Sequence, residues 1–243
     1  MSSPSPAPRP PSTLDEELLG AEDLTVLTEL TDADRIERMR GELAMGFAAL
    51  EGLGPAVSVF GSARTRPEHP ESALACRTAR RLGEEGFAII TGGGPGTMEA
   101  ANRGAREAGA RSVGLAIDLP HEEYVNQSVD LPLRFHYFFT RKVMFVRYAS
   151  AFVVFPGGFG TLDELFEVLT LIQTAKIRHA PVVLVGEEYW SGLLGWMEAH
   201  LARPGRIGAR DLELVSVLED PEAILAAARA GAAARGVEPG PSI

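Results

Sequence analysis

Residues 56 to 217 alternate short apolar runs with longer stretches of helical periodicity, and few folds accept that pattern. The runs cover 56–60, 87–90, 112–117, 133–138, 151–155, 181–185 and 214–217. Most are apolar throughout rather than every second residue, so both faces must be covered, as in parallel sheets. Helical stretches lie between them, near 70–84, 97–108, 141–149, 161–176, 188–202 and 220–234. This alternation requires right-handed crossovers and predicts an α/β fold, a doubly wound, mainly parallel sheet with helices on both faces. Such sheets bind ligands beyond the carboxyl ends of their strands, where the strand order reverses. The residues that follow each strand therefore carry the functional reading.

A chain of 243 residues fits one large domain with some additions. Residues 1–31 combine Ser, Pro and acids with little apolar pattern, and a disordered or loosely attached tail is expected there. Residues 32–243 are expected to form a single nucleotide-binding domain with an N-terminal helical extension. That extension reads as an amphipathic helix over 32–50, with Ile36, Met39, Leu43, Phe47 and Leu50 at spacings of 3, 4, 4 and 3. The Ala-rich stretch 226–236 reads as a last, fraying helix. The formal charge of −10 disfavours nucleic-acid partners, which require a basic face. The lone cysteine, Cys76, cannot form an intrachain disulfide and reads as a buried small hydrophobe in a reducing compartment. No apolar run approaches the ~18 residues of a membrane span. The N-terminus lacks the hydrophobic region of a signal peptide, so the expected location is the cytoplasm.

Three strand ends carry glycine turns. They read Gly61-Ser62-Ala63-Arg64, then Gly92-Gly93-Gly94-Pro95-Gly96-Thr97-Met98-Glu99, then Pro156-Gly157-Gly158-Phe159-Gly160-Thr161. Glycine lets the backbone take positive φ and approach a phosphate, and the helix that follows offers unpaired N–H groups and a positive dipole end. Simple tight turns would use glycine too, but two such turns on separate strands favour phosphate. The second turn lacks the Lys-Ser/Thr ending of a P-loop. It also puts Thr97 where a dinucleotide fingerprint needs its third glycine, and Asp118 reads as a solvated loop residue rather than a ribose ligand.

Two charged groups stand out near these turns. Arg141 and Lys142 open a helical stretch, where cations face the wrong end of the dipole unless an anion binds nearby. Glu164 has two open readings: Thr161-Leu162-Asp163-Glu164 has the form of a capping box, or Glu164 is a carboxylate kept close to the phosphate site for chemistry. His69, His121, His136, His179 and His200 are scattered, so no metal site is expected. No Gly-x-Ser-x-Gly elbow is present.

The string from Gly92 to Ala100, the pair Arg141-Lys142, and Pro156-Gly157-Gly158-Phe159-Gly160-Thr161-Leu162-Asp163-Glu164 resemble the LONELY GUY (LOG) family, cytokinin riboside 5′-monophosphate phosphoribohydrolases long mislabelled lysine decarboxylases. The resemblance spans residues 56 to 217, and the helical extension is similar to the family's longer subgroup. It implies a Rossmann-like homodimer, or a hexamer of dimers, acting on a small-molecule nucleotide. The N-glycosidic bond of a nucleoside 5′-monophosphate would be cleaved to free base and ribose 5-phosphate, with no cofactor. By match to the motifs, Arg141 and Glu164 would be the catalytic pair. Gly157, Gly158, Gly160 and Thr161 would hold the phosphate, with Met98 and Glu99 near the nucleoside. Ser62, Gly93, Gly94 and Lys142 complete the implied binding set. One departure bears on the preferred base: Phe138 and Phe145 replace both methionines of the family's Met-x-x-Arg-Lys-x-x-Met.

Such a bond breaks through an oxocarbenium-like centre, which a carboxylate at Glu164 could stabilise, or it could activate water. No lysine lies in a pyridoxal-phosphate attachment pattern. The alternative is a non-catalytic nucleotide or cofactor binder on the same fold. The glycine turns fit both readings, and Arg141 with Glu164 favours the hydrolase.

Overall fold

The computed structural model describes residues 13–20, 30–118 and 124–238. Its elements run α1 (Leu14–Leu19), α2 (Asp32–Ala49), β1 (Ala56–Phe60), α3 (Pro70–Glu84), β2 (Ala88–Thr91), α4 (Thr97–Glu107), β3 (Ser112–Ile117), β4 (Leu131–Phe135), α5 (Phe138–Tyr148), β5 (Ala149–Val154), α6 (Phe159–Gln173), β6 (Val182–Leu184), α7 (Glu187–Met197), β7 (Val215–Val217) and α8 (Pro221–Arg235). A π-helical turn, Glu198–Ala202, continues α7, and a 3-10 turn, Ala209–Leu214, precedes β7.

Among the described residues the sheet has seven strands in the order β4-β3-β2-β1-β5-β6-β7, and every adjacent pair is parallel. Successive side chains alternate between two cores. Phe60, Ile90, Leu115, Phe152 and Val154 face one layer, with Phe145 of α5, Leu165 of α6 and Trp190 of α7. Val57, Val59, Ile89, Ala151 and Val153 face the other, with Leu82 of α3, Ala101 of α4 and Ala228 of α8. The runs of the central strands are largely apolar because both faces are covered, whereas the edge strands β4 and β7 are only partly buried.

The strand order reverses between β1 and β5. From β1 the chain builds outward to β4, then returns through α5 to pair β5 with β1 on the other side. The helices after these two strands, α3 and α6, leave for opposite faces, so a crevice opens beyond Phe60 and Val154.

Local differences from the sequence reading have identifiable causes. The run expected over 133–138 is a strand over Leu131–Phe135, because an edge strand tolerates Pro132 and α5 already begins at Phe138. On α2 the apolar stripe defines the buried face only in part: Leu50 is fully buried and Leu43 packs against the core. Ile36 is 63% exposed and Phe47 37%, whereas Arg35, Glu42 and Gly46 are buried. Gly46 permits this, since a Cβ there would lie 2.7 Å from Met144 Sδ of α5. Cys76 is half-buried rather than buried, its Sγ 3.8 Å from Glu107 Oε2 at the α3–α4 edge. Helix α8 closes on Gly236, left-handed at φ 68°. Most of the tail expected over 1–31 lies outside the described residues, as does His121; its described part holds α1.

Helices α3 and α4 touch through Gly104, where a Cβ would overlap the Cys76 carbonyl and lie 2.9 Å from Arg80 N. Gly104→Ala is expected to cost about 1–3 kcal/mol by overpacking, despite alanine's better helix propensity. Thermal melts should show a lower Tm; an unchanged Tm would mean the two helices are free to part.

Candidate active site

The crevice holds a cavity of about 1040 Å³. Three strand-end turns form its walls. After β1, Gly61 and Ser62 turn across it, and the Ser62 N–H donates to the Pro156 carbonyl, tying the first turn to the third. After β2, Gly96 has φ 68°, and a Cβ there would overlap the Ser62 carbonyl, so no other residue fits. The Thr97 N–H at the start of α4 donates to that same carbonyl at 3.0 Å.

The third turn differs from its sequence reading. Helix α6 begins at Phe159 with Gly158 as its N-cap and no side-chain cap. Thr161 is therefore inside the helix, and Leu162 N–H already bonds the Gly158 carbonyl at 3.0 Å. The capping box is overturned: Glu164 lies too far along the helix to reach back to an N-cap. Without a side-chain cap, the N–H groups of Phe159, Gly160 and Thr161 have no intrahelical acceptor. These donors open on the cavity, and a positive dipole end backs them. Gly157 allows the tight approach, since its Cβ would overlap Thr161 Oγ1. Tyr189 supports the turn from outside, donating to the Gly157 carbonyl at 2.6 Å.

Arg141 and Glu164 meet at the cavity wall. Arg141 Nη2 lies 3.3 Å from Glu164 Oε1, with side chains 10% and 14% exposed. Helix α5 supplies the first and α6 the second, from the two sides of β5. Phe138 and Phe145 hold the guanidinium between their rings, at 5.2 and 5.4 Å. Its buried Nε has no hydrogen-bond partner in the protein. Burial lowers the Arg141 pKa, opposed by Glu164, Asp163 and Asp15. Burial likewise pushes the Glu164 carboxyl up to about 7, against the pull of Arg141 and helped by Asp163. Carboxyl groups shifted toward neutrality beside a cavity are typical of sites that exchange protons or change charge during a reaction.

Ser62, Gly94, Met98, Arg141, Gly157, Gly158, Gly160, Thr161 and Glu164 all line the cavity. Three sequence candidates do not. Gly93 sits behind the wall, its carbonyl accepting from Asn126 N at 2.8 Å and Nδ2 at 3.1 Å. Glu99 is turned toward the Tyr124 hydroxyl. Lys142 points along α6, with Asp163 at 2.9 Å and Glu167 at 3.1 Å. Sequence reasoning missed Tyr124 and the buried network behind the second turn, in which Asn102 accepts from Thr91 Oγ1 and from Asn126 Nδ2. Asn126 is 24 residues from Asn102, and no local motif joins them. Among the described residues no His, Cys, Asp or Glu cluster could hold a metal ion, and no helix is long and apolar enough to cross a membrane. Asp118 is an exposed loop residue, 3.7 Å from His136.

Gly160 faces open space, so Gly160→Ala is expected to hold or raise stability, by up to about 1 kcal/mol of helix propensity. The added methyl would crowd an anion at the exposed N–H groups. Calorimetry with a nucleoside monophosphate should therefore show weaker binding by a more stable protein; unchanged affinity would place the anion elsewhere.

The family model described as "Possible lysine decarboxylase" matches residues 98–228, a stretch that includes both Arg141 and Glu164. A cytokinin riboside 5′-monophosphate phosphoribohydrolase of Mycobacterium marinum is 30% identical over 168 residues, 68% of this chain and 89% of that protein. A probable enzyme of the same description from Oryza sativa subsp. japonica is 32% identical over 128 residues, 51% of each chain. The molybdenum cofactor carrier protein of Chlamydomonas reinhardtii superposes with a TM-score of 0.53 at 24% identity, over 74% of this chain and 99% of that one. That likeness extends to the fold alone.

Proposed function

The chain belongs to the family described as possible lysine decarboxylases, the LOG family, and we propose that it hydrolyses the N-glycosidic bond of a nucleoside 5′-monophosphate. Water adds to C1′ of the ribose, the C1′–N bond breaks, and the base departs with a proton, leaving ribose 5-phosphate. The observation that carries this reading is the buried Arg141–Glu164 contact beside the uncapped N-terminus of α6. The backbone donors of Phe159, Gly160 and Thr161 take the phosphate. Glu164, as a carboxylate, stabilises positive charge developing at C1′ and accepts the proton of the attacking water. Arg141 favours that ionised form.

A purely binding protein on this fold would have no use for a carboxylate placed next to a phosphate, where it weakens affinity. A decarboxylase working through a lysine Schiff base is not favoured either. Of the chain's two lysines, Lys142 is held by Asp163 and Glu167 outside the cavity, and Lys176 lies beyond the end of α6. The names of the relatives support a cytokinin riboside 5′-monophosphate as substrate, and an AMP-like nucleotide is the other candidate. Phe138, at the cavity wall, is where this chain would adjust the choice of base.

The test is base release from a panel of nucleoside 5′-monophosphates. Release is expected with and without chelator, because the donors facing the cavity are N–H groups and a guanidinium, which suit an anion. Loss in chelator with rescue by a divalent ion would overturn this mechanism. Glu164→Gln keeps an acceptor for Arg141 but removes the charge, and turnover should fall by on the order of 10²-fold. Because burial holds the Glu164 carboxyl near 7, kcat/KM of the unmodified chain should rise as pH climbs through about 7 and level off above it. A rate that falls through that window would make Glu164 an acid instead.

The protein is also proposed to act as a homodimer in the cytoplasm, where a lone cysteine is at home. Phe139 and Val143, 44% and 41% exposed, lie one turn apart on α5, and Lys142 ties that helix to α6, where Phe166 is 36% exposed. Light scattering at micromolar concentration should report at least a dimer; a monomer would contradict this.

A further inference from the structure

Helix α5 carries Arg141 but has no cap of its own. Its N-cap, Tyr137, makes no side-chain cap, and no acid occupies its first turn. Arg141 thus adds a cation near the positive end of an unshielded dipole. The missing acceptors come from the segment before β1. Glu42 of α2, 8% exposed, accepts from His136 N at 2.9 Å, Tyr137 N at 3.4 Å and Thr140 Oγ1 at 2.6 Å. Asp15 of α1 accepts from Phe138 N at 3.3 Å. The charges of Asp15 and Arg141 also act on one another.

These contacts form a continuous path to the reacting pair. Asp15 fixes the backbone of Phe138, whose ring lies against the Arg141 guanidinium, and Arg141 touches Glu164. Helix α1 is itself tied to α2, where Glu17 faces Arg35 at 3.8 Å and Arg38 at 3.5 Å. Burying such groups costs desolvation that an apolar contact would avoid, so stability alone is a poor reason for them. Fixing one position of α5 is a better one. The segment that matches the family model starts at residue 98, so both α1 and α2 lie outside it.

We infer that Asp15 and Glu42 are positioning residues, which cap α5 from outside and hold Phe138 and Arg141 in the orientation that meets Glu164. This inference rests on the hydrolase reading. It assigns the segment before β1 a part in turnover rather than in phosphate binding, which stays with α6.

The experiment is steady-state kinetics of base release by the full chain and by Asp15→Ala, Asp15→Asn and Glu42→Gln, each checked for fold by circular dichroism. Both Glu42 oxygens accept, so Glu42→Gln turns one acceptor into a donor facing a donor. For it and for Asp15→Ala, kcat should fall about tenfold with KM within about twofold, the signature of a displaced catalytic group. Asp15→Asn keeps an acceptor for the Phe138 N–H and should recover most of the lost kcat. If Glu42→Gln does not fold, the Asp15 variants still decide the matter. Unchanged kcat in folded Asp15→Ala, or a loss confined to KM, overturns the inference and leaves the hydrolase reading intact. If the unmodified chain releases no base from any nucleotide, both fall.

Discussion

Two adjacent parallel strands whose following helices leave for opposite faces cannot close the space beyond their carboxyl ends. Here those strands are β1 and β5, and the rest of the site follows from their adjacency. The β1 turn can reach the β5 turn, so the Ser62 N–H meets the Pro156 carbonyl. The α6 N-terminus is left facing the opening. The return from β4 brings α5 across one face of the sheet, where Ser58 of β1 donates to the Phe145 carbonyl at 2.9 Å. Arg141 is delivered to Glu164 by that crossing. Neither residue is near the other in the chain, and only the reversal of strand order brings them together.

The electrostatics of the crevice run against folding and in favour of chemistry. A guanidinium and a carboxyl are withdrawn from water, and each shifts toward its neutral form because burial outweighs their mutual attraction. The α6 donors are left without a side-chain cap in the same small space. An anionic ligand would satisfy the donors, and a developing cation would satisfy the carboxylate. A nucleotide that ionises at C1′ supplies both charges, which is why the arrangement suits that reaction better than simple storage of a ligand.

Much of this was legible in the chain. The two-sided burial of the strands appears as apolar runs, and β1 and β3 begin and end where those runs do. The glycine turns were legible because glycine marks close backbone approach, as at Gly96 and Gly157. What failed depended on partners far away. Thr161-x-x-Glu164 has the form of a cap, but Gly158 starts the helix three residues earlier, so Glu164 turns to Arg141 instead. The stripe on α2 suggested an apolar contact, yet Glu42 is buried because α5 needs its oxygens, 94 residues and more away. Asn126 gave no signal because its acceptors come from the β2 turn and from α4. Lys142 sits beside Arg141 in sequence, but one residue along a helix is a turn of about 100°, enough to take it out of the cavity.

The claim on which all of this depends is that α6 grips a 5′-phosphate while Arg141 and Glu164 act on the glycosidic bond. Comparing kcat/KM for AMP with that for adenosine, the same molecule without its phosphate, tests it most directly. If α6 holds the phosphate, C1′ lies against the pair, and removing the phosphate should lower kcat/KM by on the order of 10²-fold or more. Equal rates for nucleotide and nucleoside would contradict the account.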